Sequence, residues 1–343
     1  MHKRFLTHLV MAALALFLPL TALAQQPEDA LIPPETVAPW LAPAETPQPE
    51  EALTDEQLGT LLSDLGDGEQ AEDYLAFPEG LSADPDKFSL LLIGTDGYRP
   101  DDPARSDAMM LAQVHLKTGE IKLISFLRDM YVKIPGNGRH RLNSSYMYGG
   151  ADLLKETLET NFGVHIDRTL AVNFSVMADL VDQIGGVDAE VSESERKQLN
   201  SILKYYNQRQ GLNAKDGVLE ESGRQRLTGK QALCYSRIRK LDSDFKRTER
   251  QRTILEAIFA RVKALDAGTL TSLLTANLDR VKTDVRLSDA LALIPVLPRL
   301  QNASFEGMSV PEAGMYQDDV INGMMVLAPN LKKCGAAIAS FLE

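Results

Sequence analysis

From residue 87 onward the apolar positions fall into short runs separated by turn residues, and these predict strands alternating with helices. Phe88 to Gly94 is a compact apolar run, the mark of a buried strand, and Ala108 to Leu116 is a second. Lys117-Thr118-Gly119 is a turn. Glu120 to Leu127 forms a third strand, in which Ile121, Leu123, Ser125 and Leu127 alternate with Lys122 and Ile124. Leu153, Leu154, Leu158 and Phe162 then recur at helical spacing across 151–162, and Gly163 stops that helix. Thr169 to Phe174 reads as a strand. Ser175 to Ile184 reads as a helix, with Ser175 as its cap and Gly185-Gly186 as its stop. Leu233 to Arg239 reads as another strand, and Phe245 to Leu265 as a long amphipathic helix. The rest is further α/β structure ending in a helix near Ala336. The expected fold is an α/β three-layer sandwich with a central mixed sheet, and no solenoid-length repeat interrupts it.

This order has a geometric consequence. Strand 88–94 runs to one sheet edge, strand 108–116 returns, and strand 120–127 runs out again. The loop 95–107 and the residues after Leu127 therefore share one end of the sheet. The helix 151–162 is a crossover, which sends strand 169–174 the same way. Asp96 closes the first strand, Arg105 and Asp107 open the second, and Arg128 and Asp129 close the third. Two carboxylates on a short loop suit a hard divalent cation such as Mg²⁺ with a phosphate ligand, and arginines suit the phosphate oxygens. Any one of these residues alone would read as a turn cap or a structural ion pair. As a convergent set they read as a site.

The charge distribution divides the chain. The formal net charge is −12, yet residues 25–86 carry 16 Asp or Glu with no Lys, Arg or His, and hold 9 of the 17 prolines. Residues 87–343 carry 32 acids against 34 Lys plus Arg, so the domain itself is near neutral. The acidic segment 25–86 reads as an extended, self-repelling extracytoplasmic linker, with at most a short helix after a Thr54/Gln57 capping pattern. Residues 1–24 have a basic start, an apolar run from Leu9 to Leu23 and an Ala22-Leu23-Ala24 cleavage pattern. They read as a signal peptide or signal anchor, and either reading places the remainder outside the cytoplasm. The two cysteines, Cys234 and Cys334, could pair there or remain as buried thiols.

Residues 224–252 hold ten Lys plus Arg against Asp242, Asp244 and Glu249. Arg237 and Arg239, two apart, would share one face of a strand. Arg247, Arg250 and Gln251 form a helical stripe that Ile254 and Ile258 continue. A stripe passing from basic to apolar fits a helix whose basic end borders an anionic pocket. The near-neutral domain, the export signal and the lack of interleaved aromatics argue against nucleic acid.

An ordered set of motifs then gives a specific likeness. It comprises Leu91–Gly97 (LLIGTDG), Arg105-Ser106-Asp107, Arg128-Asp129 with Ile134-Pro135-Gly136, Tyr148-Gly149-Gly150 and Val172-Asn173-Phe174. It continues through Gly185–Asp188 (GGVD), Leu227–Leu233 (LTGKQAL), Arg237-Ile238-Arg239 and Asp244–Gln251 (DFKRTERQ). In these the chain, from about Lys87 to its end, resembles the LytR–CpsA–Psr family of bacterial cell-wall glycopolymer ligases. The resemblance implies a phosphotransferase that moves a glycopolymer from a polyprenyl-pyrophosphate carrier onto peptidoglycan as a phosphodiester. It implies Asp96 and Asp107 as the residues associated with Mg²⁺ (or Mn²⁺). It implies Arg105, Arg128, Arg237, Arg239 and Arg247 as the pyrophosphate clamp, with Gln251 in the pocket. Arg128, Arg239, Asp244 and Arg247 are then the expected catalytic groups, Asp244 lying near the reacting phosphate. An apolar lipid tunnel beside the sheet is also implied, which Met109, Met110 and Leu111 could line. Expected partners are the polyprenyl-linked glycopolymer, peptidoglycan and membrane lipid, with no nucleic acid, for a monomer at the outer face of the cytoplasmic membrane or in the wall.

The chain departs from the family in two places. Leu127 stands where proline is usual, and Asn143-Ser144-Ser145 stands where Asn-His-Ala is usual, which bears on acceptor preference. A hydrolase of lipid pyrophosphates and a non-catalytic surface module are the alternative functions. Acceptor dependence of turnover separates the first alternative, and the intact site set disfavours the second.

Overall fold

The computed structural model describes residues 83–96, 104–239, 244–265 and 305–343, together with 241, 269, 273, 280–286, 289, 296–300 and 303. The expected signal segment, nearly all of the acidic linker, and Lys240 and Asp242 lie outside the described residues.

Strand β1 (Lys87–Thr95) pairs antiparallel with β2 (Ser106–His115), and β2 with β3 (Ile121–Phe126), as the turn at Lys117–Gly119 requires. Next come a hairpin of β4 (Tyr131–Ile134) and β5 (Gly138–Arg141) and then helix α1 (Asn143–Phe162). β6 (Arg168–Asn173) lies parallel to β1, so Thr95 stands beside Asn173 at the same sheet end. Helix α2 (Phe174–Gln183) leads into β7 (Val187–Val191), helix α3 (Glu193–Arg209), β8 (Gly223–Leu227), helix α4 (Gly229–Ser236) and helix α5 (Asp244–Lys263). β9 (Lys282–Thr283), the short helix α6 (Leu297–Leu300), β10 (Phe305–Val310), the hairpin β11 (Tyr316–Ile321) and β12 (Met324–Pro329), and helix α7 (Leu331–Leu342) complete the described elements. The main sheet has the order β10-β3-β2-β1-β6-β9 and is mixed, with β10 parallel to β3 and β9 antiparallel to β6.

The period of two along each strand divides the core. Leu91, Ile93, Met109, Leu111, Ile124 and Phe126 face α1 and α7, meeting Leu154, Leu158, Phe162 and Ile338. Leu90, Leu170 and their neighbours face the other way, toward α2, α3, α4 and α5. Helices thus cover both faces, which is the expected three-layer sandwich.

Three local expectations change, and one open alternative is decided. Residues 233–239 are not a strand: Gly229–Ser236 is helical, with Arg237 as its C-cap. Thr228 accepts from Gln231 N and the Gln231 side chain returns to Thr228 N, a capping box that nucleates this helix in place of a strand. α2 is capped by Asn173, whose Oδ1 accepts from Val176 N, rather than by Ser175. α1 begins at Asn143, eight residues earlier than expected, and its backbone breaks at Gly149 and Gly150, the latter at φ 65°. Gly163 ends it in the left-handed conformation, as read from the sequence. Finally, Cys234 and Cys334 are free, buried on opposite faces of the sheet, and do not pair.

Candidate active site

The strand ends bring the expected residues together. Asp96 and Arg105 close the base of the loop between β1 and β2: Arg105 N donates to Asp96 Oδ1 at 2.8 Å, and Asp96 N to Arg105 O at 3.2 Å. Asp107, one residue into β2, is almost sealed from solvent. Its Oδ1 takes an ion pair from Arg128 Nη1, and its Oδ2 lies 3.1 Å from Arg247 Nη2. Arg247 comes from the first turns of α5 and is only 4% exposed. Arg239, just past α4, grips Asp244 at the start of α5, with Nε 3.1 Å from Oδ1 and Nη2 3.1 Å from Oδ2. Arg237 is near enough for its charge to act on both Asp96 and Asp107.

Asp129 is the residue whose weight the sequence did not reveal. Its carboxylate lies 3.5 Å from Arg128 Nε, 3.2 Å from Arg141 Nη1 and 3.7 Å from Arg239 Nη2. It therefore ties β3, β5 and the segment after α4 to one point. Arg141, carried by β5, also acts on Arg105 and joins the cluster. The adjacency of Arg128 and Asp129 was visible in the sequence, but the long-range partners were not. Arg250 leaves the expected basic stripe: it is buried against Glu195 at 2.8 Å and Ile238 O at 3.2 Å, a structural role.

The electrostatics follow from burial and count. Burial opposes the charge of Asp107, yet Arg128, Arg247 and Arg237 hold its carboxyl far below the usual carboxylate range. Burial likewise opposes Arg128, and Asp107, Asp129 and Asp244 more than offset it, so its guanidinium stays charged. Arg247 goes the other way. Burial, with Arg128 and Arg239 beside it and only Asp107 and Asp244 to compensate, brings it down to about 10. Its Nε is buried without a hydrogen-bond partner among the described residues. Burial and then the charge of Asp107 raise the carboxyl of Asp96. Among the described residues, six guanidiniums (Arg105, Arg128, Arg141, Arg237, Arg239, Arg247) gather with four carboxylates (Asp96, Asp107, Asp129, Asp244), a balance suited to a polyanion.

An apolar cavity of about 120 Å³ opens beside this cluster, between the sheet and α5. Leu92, Met110, Ala112, Leu123, Leu170 and Val172 form its floor, and Ile254, Leu255, Ile258 and Phe259 its roof. Gly94, Ser236 and Gln251 line it as well, and each is close in sequence to a charged residue of the cluster. Of the three side chains expected here, Met110 lines the cavity. Met109 and Leu111 point to the opposite face and pack in the α1/α7 core.

A mixed sheet with helices on both faces, ending in a guanidinium cluster beside an apolar cavity, defines a protein built to hold an amphipathic anion. The LytR_cpsA_psr family model matches residues 63–338, and the chain belongs to that family. It is 32% identical over 239 residues to the polyisoprenyl-teichoic acid–peptidoglycan teichoic acid transferase TagT of Bacillus subtilis, covering 67% of this chain and 71% of that protein. It is 34% identical over 210 residues to the transferase TagU of Enterococcus faecalis, covering 59% of this chain and 63% of that one. The chain thus spans a little under two thirds of that second relative. Its fold is also similar to TagT with bound octaprenyl pyrophosphate lipid, at a TM-score of 0.56 and 27% identity, over 76% of this chain and 93% of that one.

Proposed function

We propose that the chain is a phosphotransferase that moves a glycopolymer from a polyprenyl-pyrophosphate carrier onto peptidoglycan, outside the cytoplasm. The observation that carries this is the cluster of guanidiniums set beside an apolar cavity, a charged head site joined to a lipid-tail site. The likeness to TagT, a teichoic acid transferase, supports it. Export by residues 1–24 belongs to the same reading. Among the described residues no helix is long and apolar enough to cross a membrane.

A pyrophosphate resists attack because its charge repels nucleophiles. Arg105, Arg128, Arg237, Arg239 and Arg247 offset that charge and fix the phosphorus in place, with Gln251 beside the lipid. An acceptor hydroxyl oxygen then bonds to the phosphorus bearing the glycan. The bond from that phosphorus to the bridging oxygen breaks, and polyprenyl phosphate leaves with the electron pair. The hydroxyl proton passes to a carboxylate, and Asp244 is the one we assign. Asp96 and Asp107 are the pair that fits a divalent cation. Burial and the neighbouring charge penalise ionised Asp96, a penalty that a hard cation removes. No group of three or more acidic, His or Cys side chains is arranged to hold a metal ion among the described residues, so phosphate oxygens and water would complete the shell. Mg²⁺ or Mn²⁺ there would supply further charge neutralisation on the pyrophosphate.

The test is to supply a polyprenyl-pyrophosphate-linked glycan with and without peptidoglycan and follow release of polyprenyl phosphate. Release that requires the acceptor, with glycan recovered on peptidoglycan, is expected. Equal release in water alone would make the protein a hydrolase.

A further inference from the structure

We propose that Tyr148 is a sugar-stacking platform beside the pyrophosphate clamp, recognising the saccharide attached to the lipid pyrophosphate. This rests on the function proposed above. Tyr148 is 39% exposed, although it sits in a segment whose neighbours Asn143, Ser144 and Ser145 are almost wholly buried. A partly exposed aromatic ring presents a flat face well suited to the C–H face of a pyranose.

The ring is held at the site, not on a remote surface. The segment bearing it starts on the cluster itself, where Asn143 N donates to Arg128 O at 3.1 Å and Leu142 N to Met130 O at 2.8 Å. The Tyr148 phenol also lies within electrostatic reach of Arg105. The ring is also braced from behind. His140 is buried and meets it edge-on, with centroids 5.9 Å apart and planes at 83°. His140 is fixed in turn: its Nδ1 lies 2.8 Å from Ser144 Oγ and accepts from Arg141 N at 2.9 Å. Immediately after Tyr148 the helix breaks at Gly149 and Gly150, so the tyrosine ends a rigid short segment instead of being wrapped into the next turn. A fixed ring at the edge of a phosphate clamp matches a ligand in which a sugar follows directly on a diphosphate.

The experiment compares two ligands on the full chain. One is octaprenyl pyrophosphate without sugar and the other is the same lipid with one N-acetylhexosamine. Affinities are measured for the native protein, Tyr148→Phe and Tyr148→Ala. Tyr148→Ala should weaken binding of the sugar-bearing lipid about tenfold and leave the sugar-free lipid within twofold, while Tyr148→Phe keeps both near native. Equal weakening for the two lipids, or weakening for neither, would overturn the platform. Loss with Tyr148→Phe equal to that with Tyr148→Ala would also overturn it, since the hydroxyl rather than the ring face would then be responsible. If the native protein binds neither lipid, the proposed function itself fails, and that result is distinct from the others.

Discussion

Asp107 holds two guanidiniums at once while nearly closed to solvent, and this gives it a different role from Asp96 only a loop away. Removing its charge takes from buried Arg247 the carboxylate at 3.1 Å and leaves buried Arg128 with Asp129 alone of its two ion-pair partners. Asp107→Asn is therefore expected to cost about 3–5 kcal/mol in denaturant unfolding. Asp96→Asn should leave stability near native, because ionised Asp96 is penalised in the fold, while removing divalent-dependent activity. Equal melting of the two variants would contradict this asymmetry. The pH profiles separate in the same way. Asp107 has a depressed folded pKa, so its stabilisation is present above the ordinary 3.8 and is lost as pH falls below that. Asp96 without a cation has a raised one, so protons compete with a cation for it at higher pH than 3.8. On acidification activity should thus fall before the circular-dichroism signal does. At Arg247, Lys keeps the charge but loses the fork to Asp107 and phosphate. Arg247→Lys should lower kcat/KM about 100-fold with the fold intact. Asp244 grips Arg239 through both oxygens, so Asp244→Asn tests the assigned proton acceptor. Transfer lost with lipid binding kept supports the base; full transfer means that the carboxylate only orients Arg239.

The strands β1, β2, β3 and β6 were legible because a period of two and a single tight turn fix both their pairing and their direction. That alone placed Asp96, Asp107 and Arg128 together. Helix α4 was misread because a short run such as Ala232-Leu233-Cys234-Tyr235 is apolar on every side and carries no usable period. The deciding signal was Thr228 three residues before Gln231, a capping box. The consequence is real for the site, since Arg237 caps a helix end and Arg239 follows it, and the two reach different carboxylates of the cluster instead of lying on one strand face. Thr228→Ala should cost about 1 kcal/mol. Gly229→Ala should cost more, about 3 kcal/mol, because its new Cβ would fall 1.8 Å from Ala178 O where α4 meets α2. Thermal melts of the two variants measure the difference. The many partners of Asp129 were illegible for another reason: they lie on β5 and beyond α4, and only the packed fold brings them to one carboxylate.

The two faces of the sheet do different work across the molecule. One is filled by α1 and α7 as dry core, and the other keeps an apolar cavity beneath α5. Filling that cavity should separate tail binding from head binding. Ala112→Phe is expected to reduce octaprenyl pyrophosphate affinity at least tenfold while leaving inorganic pyrophosphate affinity unchanged, which calorimetry can read. The same division also sets apart Cys234 and Cys334, one thiol in each half of the sandwich, both pushed up to about 12 mainly by burial. Both are buried in the folded chain, in separate halves of the core, and the fold holds no disulfide between them. Each thiol is in effect a clock for its own half. The rate at which an alkylating reagent marks Cys234 or Cys334 reports how often that side of the sheet opens, and a shift in one rate alone upon adding lipid locates the half that the lipid closes.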